Sequence, residues 1–146
     1  METRFNLQQT QPEAFKAMFG LEKYLGGTAL SHTHKELIKI RTSQINACAY
    51  CLDMHTKDAL KYGETQQRIF VLPAWRETTL FTPEERAILA LAEEVTLISN
   101  GGVKTETYQN AVGILGEEYT AQALMAIITI NAWNRIAIST LLQPGQ

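Results

Sequence analysis

Cys48 and Cys51 are the only cysteines in the chain, and His55 follows four residues later in the run Cys-Ala-Tyr-Cys-Leu-Asp-Met-His. At about 100° per residue, positions 48, 51 and 55 of a helix fall within an arc of roughly 60°, so both sulfurs and the imidazole would share one face. Residues three apart on a helix have Cα atoms roughly 5 to 6 Å apart, which a disulfide can close, and such a pair can cycle between dithiol and disulfide without refolding. Two influences would lower the thiol pKa values. With Ala47 and Cys48 in the first helical turn, the helix dipole favours a thiolate there, and an imidazolium at His55 favours one at Cys51. A thioredoxin would set such a motif between a strand and a helix, and no strand precedes it here.

Two other uses of the cysteines stand beside the redox one. Free cysteines are often inert core residues, although chance seldom brings the only two in a chain to this spacing with a histidine on the same face. Zinc binding is the second. A closed zinc site wants four ligands, and a second cysteine or histidine pair is missing; His32 and His34 precede a different helix. No metal and no cofactor is expected. Glu36 sits at the edge of an apolar face, next to Leu37 and in angular line with Ile40 and Ser43. Burial there would raise its pKa and make it a proton acceptor and donor near neutrality, whereas the local sequence alone favours an ordinary solvated carboxylate.

The elements that must hold these groups are helical from end to end, with no period-two alternation. Pro12 opens a helix through about Tyr24, stopped by Gly26 and Gly27. Ser31 caps a second helix carrying Glu36, Leu37, Ile40 and Ile45, and a break near Asn46 supplies a cap for the cysteine helix, which runs to Tyr62 and ends at Gly63. A short helix from about Thr65 to Leu72 is halted by Pro73, and a loop carries Trp75 to Phe81. Thr82-Pro83-Glu84-Glu85 is a capping box with proline at the first helical position, backed by a stripe of Ile88, Leu91, Val95 and Ile98. Asn100-Gly101-Gly102 ends that helix. Further helices are expected over about Glu106 to Leu115 and Thr120 to Leu142. The last is apolar on most of its circumference, which calls for cover on all sides, either by self-association or by a place at the centre of its own subunit. On that helix Asn131 and Arg135 suit pairing across a subunit boundary better than binding an anionic ligand. Thr28 to His34 and Trp75 to Phe81 are candidate walls for an entrance.

The chain has 146 residues, 45% of them hydrophobic, enough for one all-α domain over 1–146 with a real core. No repeat, low-complexity tract or linker divides it. Its net charge of −2 comes from 15 acidic and 13 basic residues mixed along the chain, without the basic stripe that nucleic acid requires. No nucleic-acid partner is expected. The longest apolar run, Ala121 to Ile130, is too short to span a membrane and reads as a buried helix. Met1 to Phe19 carries no sign of an export leader, so a cytoplasmic location is expected, where thiols stay reduced and a close pair is catalytic or metal-binding rather than a permanent staple.

Glutamate, eleven residues, Cys-x-x-Cys, three residues and histidine, here Glu36, Cys48, Cys51 and His55, resembles the signature of the AhpD-like alkylhydroperoxidases in the carboxymuconolactone decarboxylase superfamily. The likeness is strong over about Ser31 to Gly63 and looser downstream, through the Thr82 helix and Asn131 to Arg135. It implies an all-helical AhpD-like bundle, assembly into trimers or hexamers, and a thiol-dependent peroxidase in which Glu36 and His55 relay protons to the cysteine pair. Its partners would be a hydroperoxide substrate and a dithiol or thiol-protein reductant. Tyr50 stands where the family pattern has a further histidine; on an ideal helix it points away from the sulfurs, toward core or subunit packing. Two rivals remain. The superfamily's lyase chemistry needs to steady an enolate and deliver a proton, which leaves a disulfide-forming pair without a task. A helical scaffold without catalysis, sensing redox state or binding metal, is the other.

Overall fold

Ser31 and Thr82 each cap a helix as their sequences require, and those two helices frame the protein. Ser31 Oγ accepts from His34 N at 3.1 Å; Thr82 and Glu85 close the reciprocal capping box, with Glu85 Oε2 accepting from Thr82 N at 2.9 Å. The computed structural model describes residues 1–145; Gln146, the last residue of the expected domain, lies outside them. Among the described residues there is no strand, and the elements are α1 (Leu7–Thr10), α2 (Pro12–Gly26), α3 (His32–Asn46), α4 (Ala49–Lys61), α5 (Gln66–Val71), a 3-10 helix (Leu72–Glu77), α6 (Pro83–Thr96), α7 (Thr105–Leu115) and α8 (Glu117–Thr140).

α3 is the shared wall of the core. Its Ile38 joins Leu25, Ile88, Leu91, Ala126, Ile127 and Ile130 on one side, and its Leu37 and Ile40 join Leu72, Trp75, Phe81 and Leu89 on the other. Ile38, Ile40, Leu72, Ile88, Leu89 and Ile127 have no measurable exposure, each such side chain contributing about 1.5–3 kcal/mol of burial. Packing α3 between α4, α6 and α8 holds Glu36 against the cysteine helix.

Three expectations need correction. Pro73 does not halt the chain into a loop; its missing N–H suits the start of a 3-10 helix, which buries Trp75 and takes up the first three residues of the expected 75–81 loop. α6 ends at Thr96, so Ile98 lies beyond its apolar stripe and is 57% exposed, while Gly101 and Gly102 supply the positive φ angles of the turn that follows. α1 is an element that the periodicity did not announce, one turn capped by Asn6, whose side chain accepts from Gln9 N at 3.1 Å. α8 is covered on one face only. Ala123, Ile127, Ile130, Asn134 and Ala137 turn inward, and Leu124, Ile128 and Ile138 are about two-fifths exposed.

Glu93 on α6 ties three segments together. Its Oε1 accepts from Arg41 Nε at 3.0 Å and from Trp75 Nε1 at 2.7 Å, and its Oε2 accepts from Arg76 at 2.5 Å. Burial pushes this carboxyl up, but the hydrogen bonds from Arg76, Trp75 and Arg41 outweigh it and hold the pKa below the usual value. A depressed carboxyl pKa stabilises the fold above the unfolded pKa, and that contribution is lost as pH falls through the folded one. Glu93→Gln is expected to cost about 2–4 kcal/mol at pH 7, and the gap to the unsubstituted protein should shrink on acidification below about pH 4, read by urea unfolding at both pH values.

Candidate active site

The α3–α4 junction fixes the first cysteine. Ala47 adopts the left-handed conformation (φ 56°, ψ 45°), Ala47 N donates to Gln44 O at 3.2 Å, and Cys48 N donates to Ser43 O at 3.0 Å. This pair of bonds is a Schellman closure, in which one left-handed residue turns the chain and satisfies the last carbonyls of α3. The expected cap at Asn46 is therefore not found: Asn46 is the last residue of α3, and Cys48 takes the N-cap position of α4 without a side-chain capping bond. Ala47 and Cys48 lie before the first turn rather than within it, and Cys51 is the third residue of α4, inside that turn and under the same dipole.

Cys48 and Cys51 are joined in a disulfide, with Cα atoms 5.4 Å apart, and both are almost fully buried beside Ala137 of α8. His55 lies one turn on. Its Nδ1 is 3.3 Å from Oε2 of Glu36, whose other oxygen is 3.6 Å from Lys39 Nζ. Glu36 is 7% exposed, so the solvated-carboxylate expectation fails, because packing of α4 over α3 covers that edge of the helix. The four sequence-selected residues thus form two pairs, the Cys48–Cys51 disulfide and Glu36–His55, joined by α4, which carries Cys51 and His55 one turn apart.

A cavity of about 480 Å³ opens onto this cluster, within the range of small-molecule sites. Cys51, His55, Tyr50, Met54, Asp58 and Lys39 line one side; Cys48 does not reach it. The opposite wall is aromatic: Phe15 and Phe19 of α2 pack edge-on to Trp133 of α8, at 5.8 and 5.7 Å between ring centres. Trp133 Nε1 is held by Glu22 at 3.0 Å. The N-terminal segment completes the rim with Phe5 to Gln8, tied to the end of α8 by Arg4 N donating to Thr140 O at 2.8 Å.

Several expectations are revised here. Tyr50 packs on the Cys48–Cys51–Ala137 cluster, the core packing expected of it, and also lines the cavity. Neither 28–34 nor 75–81 lines this cavity, and the segments that do, α1, α2 and α8, were missed; the Phe15–Phe19 pair at helical spacing was the available signal. His32 stacks on Tyr62 at 4.0 Å, and His34 Nδ1 shares a 2.5 Å hydrogen bond with Tyr119 Oη, so neither histidine is oriented to join the cysteines in a zinc site. Asn131 pairs within its own chain. Its Oδ1 accepts from Asn46 and from Arg135, both at 2.9 Å, and its Nδ2 donates to Thr96; Asn46 also reaches fully buried Asn134, which donates to Ser43 Oγ at 3.0 Å. This network anchors the end of α3 that aims Cys48.

Comparison with known proteins gives consistent matches. The model of the carboxymuconolactone decarboxylase family matches residues 12–94. The uncharacterized protein YdfG of Bacillus subtilis (strain 168) is 45% identical over 139 residues, covering 95% of each chain. A protein of unknown function from Agrobacterium tumefaciens, described as a candidate antioxidant defence protein AhpD, superposes with a TM-score of 0.95 at 37% identity over 99% of both chains. The debrominase Bmp8, solved with 2,3,4-tribromopyrrole, shares the fold at 17% identity, with a TM-score of 0.83 over 94% of this chain and 74% of its own.

Proposed function

The chain belongs to the carboxymuconolactone decarboxylase family with an AhpD-like helical fold, and within it we propose a thiol-dependent peroxidase that reduces hydroperoxides through a Cys48/Cys51 dithiol–disulfide cycle. The observation that carries this reading is the disulfide between the two cysteines with Cys51, and not Cys48, on the cavity wall beside His55. In the dithiol form Cys51 reacts as a thiolate with the terminal oxygen of the hydroperoxide. An S–O bond forms, the O–O bond breaks, and the departing alkoxide takes a proton to leave as the alcohol. Cys48 then attacks the Cys51 sulfenic sulfur, the disulfide closes, and water leaves. Glu36 accepts the thiol proton, directly or through water, and His55, 3.3 Å away on the cavity wall, passes it to the leaving oxygen. A dithiol or thiol-protein reductant resets the pair by exchange.

The dipole of α4 acts on both sulfurs, Cys48 at its N-cap and Cys51 at its third residue, so the choice of Cys51 is supported by His55 one turn on and by its place on the cavity wall. The family's lyase chemistry draws no support from a disulfide. Assembly into a trimer or hexamer belongs to the same proposal, supported by the exposed Leu124, Ile128 and Ile138 of α8, and light scattering at the monomer mass would refute it. The peroxidase reading is tested by intact mass and thiol count before and after one equivalent of hydroperoxide. Loss of two hydrogens and both thiols, restored by a dithiol, is expected; unchanged thiols would overturn it.

A further inference from the structure

Glu36 Oε2 and His55 Nδ1 face each other at 3.3 Å, both buried, and neither has a hydrogen-bond partner. A buried pair at that distance that forms no hydrogen bond asks for a third body. Donor atoms of Glu36, His55 and Asp58 all lie within 4.8 Å of one another, and His55 and Asp58 line the cavity, which gives an ion an entry path. The spacing suits a metal. Zinc bonds of about 2.0–2.1 Å to nitrogen and oxygen set two tetrahedral ligands about 3.3 Å apart. The missing hydrogen bond agrees with this, because a hydrogen bond wants the oxygen near the ring nitrogen's axis, whereas a shared tetrahedral ion displaces it by about 35°.

We infer that Glu36, His55 and Asp58 form a divalent-cation site, suited to Zn²⁺, with solvent from the cavity in the fourth position. One imidazole and two carboxylates are a donor set that zinc accepts. Lys39 Nζ is 3.6 Å from the other oxygen of Glu36, so Oε2 stays available, and the nearby ammonium holds the affinity below that of a structural zinc site. Asp58 closes on the ion by leaving Lys61, a partner 3.8 Å away at the surface. Two of the three donors are the relay residues of the proposed peroxidase, so an occupied site leaves Cys51 without its proton acceptor; that consequence rests on the peroxidase reading, and the binding does not.

The test is calorimetric titration of ZnCl₂ into the disulfide form, in which neither sulfur is a thiolate, and into the Cys48→Ser/Cys51→Ser protein. One ion per chain is expected in both, weakened tenfold or more by Asp58→Asn and by His55→Gln, each checked for native circular dichroism. No binding to the disulfide form, binding that needs the thiols, or an unchanged affinity in folded Asp58→Asn would overturn the site. Failure of peroxide turnover with zinc binding intact would overturn the peroxidase alone.

Discussion

Cys51→Ser is expected to abolish hydroperoxide reduction, with a loss on the order of 10³-fold or more, because the substitution removes the sulfur that makes the bond to oxygen. Cys48→Ser should behave differently. It leaves the first step intact and removes the partner that closes the disulfide, so a sulfenic acid persists at Cys51 and one equivalent of peroxide is consumed before turnover stops. A sulfenic-acid trapping reagent distinguishes the two: label in Cys48→Ser and none in Cys51→Ser. The reverse pattern would exchange the roles. Access supports the assignment, since Cys51 lines the cavity through which a peroxide must arrive and Cys48 does not. Serine is close in size to cysteine, so neither change opens a large void in this small cluster.

Glu36→Gln is expected to lower turnover by about 10²- to 10⁴-fold, the usual contribution of a positioned general base. Glutamine keeps the shape, but it cannot take a proton from the thiol. The disulfide should still form when a chemical oxidant replaces the peroxide, and thermal unfolding should show a folded protein; undiminished peroxide turnover would remove Glu36 from the relay. Burial is what makes the effect large. A carboxylate 7% exposed, 3.3 Å from an imidazole, exchanges protons with few competing waters, whereas a solvated surface glutamate at the same position would be replaceable by buffer.

The reading of Glu36 illustrates how far local sequence reaches. Its neighbours Leu37, Ile38 and Ile40 announced a core-facing helix, yet the letters around it favoured a solvated charge, because nothing within one turn says that α4 will be laid across that edge. The same holds for Cys48. An unbroken helical wheel sets it in the first turn, and only the left-handed Ala47, a conformation that glycine or asparagine would have signalled, places it at the N-cap of α4. The capping box at Thr82 and the Ser31 cap were readable because their partners lie three residues away, inside the same turn.

Helix content, the start points of α3, α5 and α6, and the grouping of Cys51 and His55 on one helix with Cys48 beside its start were written in spacings of three and four residues. Those features depend on local hydrogen bonds and side-chain periodicity, which neighbouring residues specify among themselves. The cavity, the choice of Cys51 over Cys48 as its wall, the burial of Glu36 against His55 and the asparagine network under the α3–α4 turn join residues tens to more than a hundred positions apart. Such contacts arise when apolar faces of α2, α3, α4 and α8 are buried against one another, and that packing is a property of the assembled chain rather than of any one stretch of it.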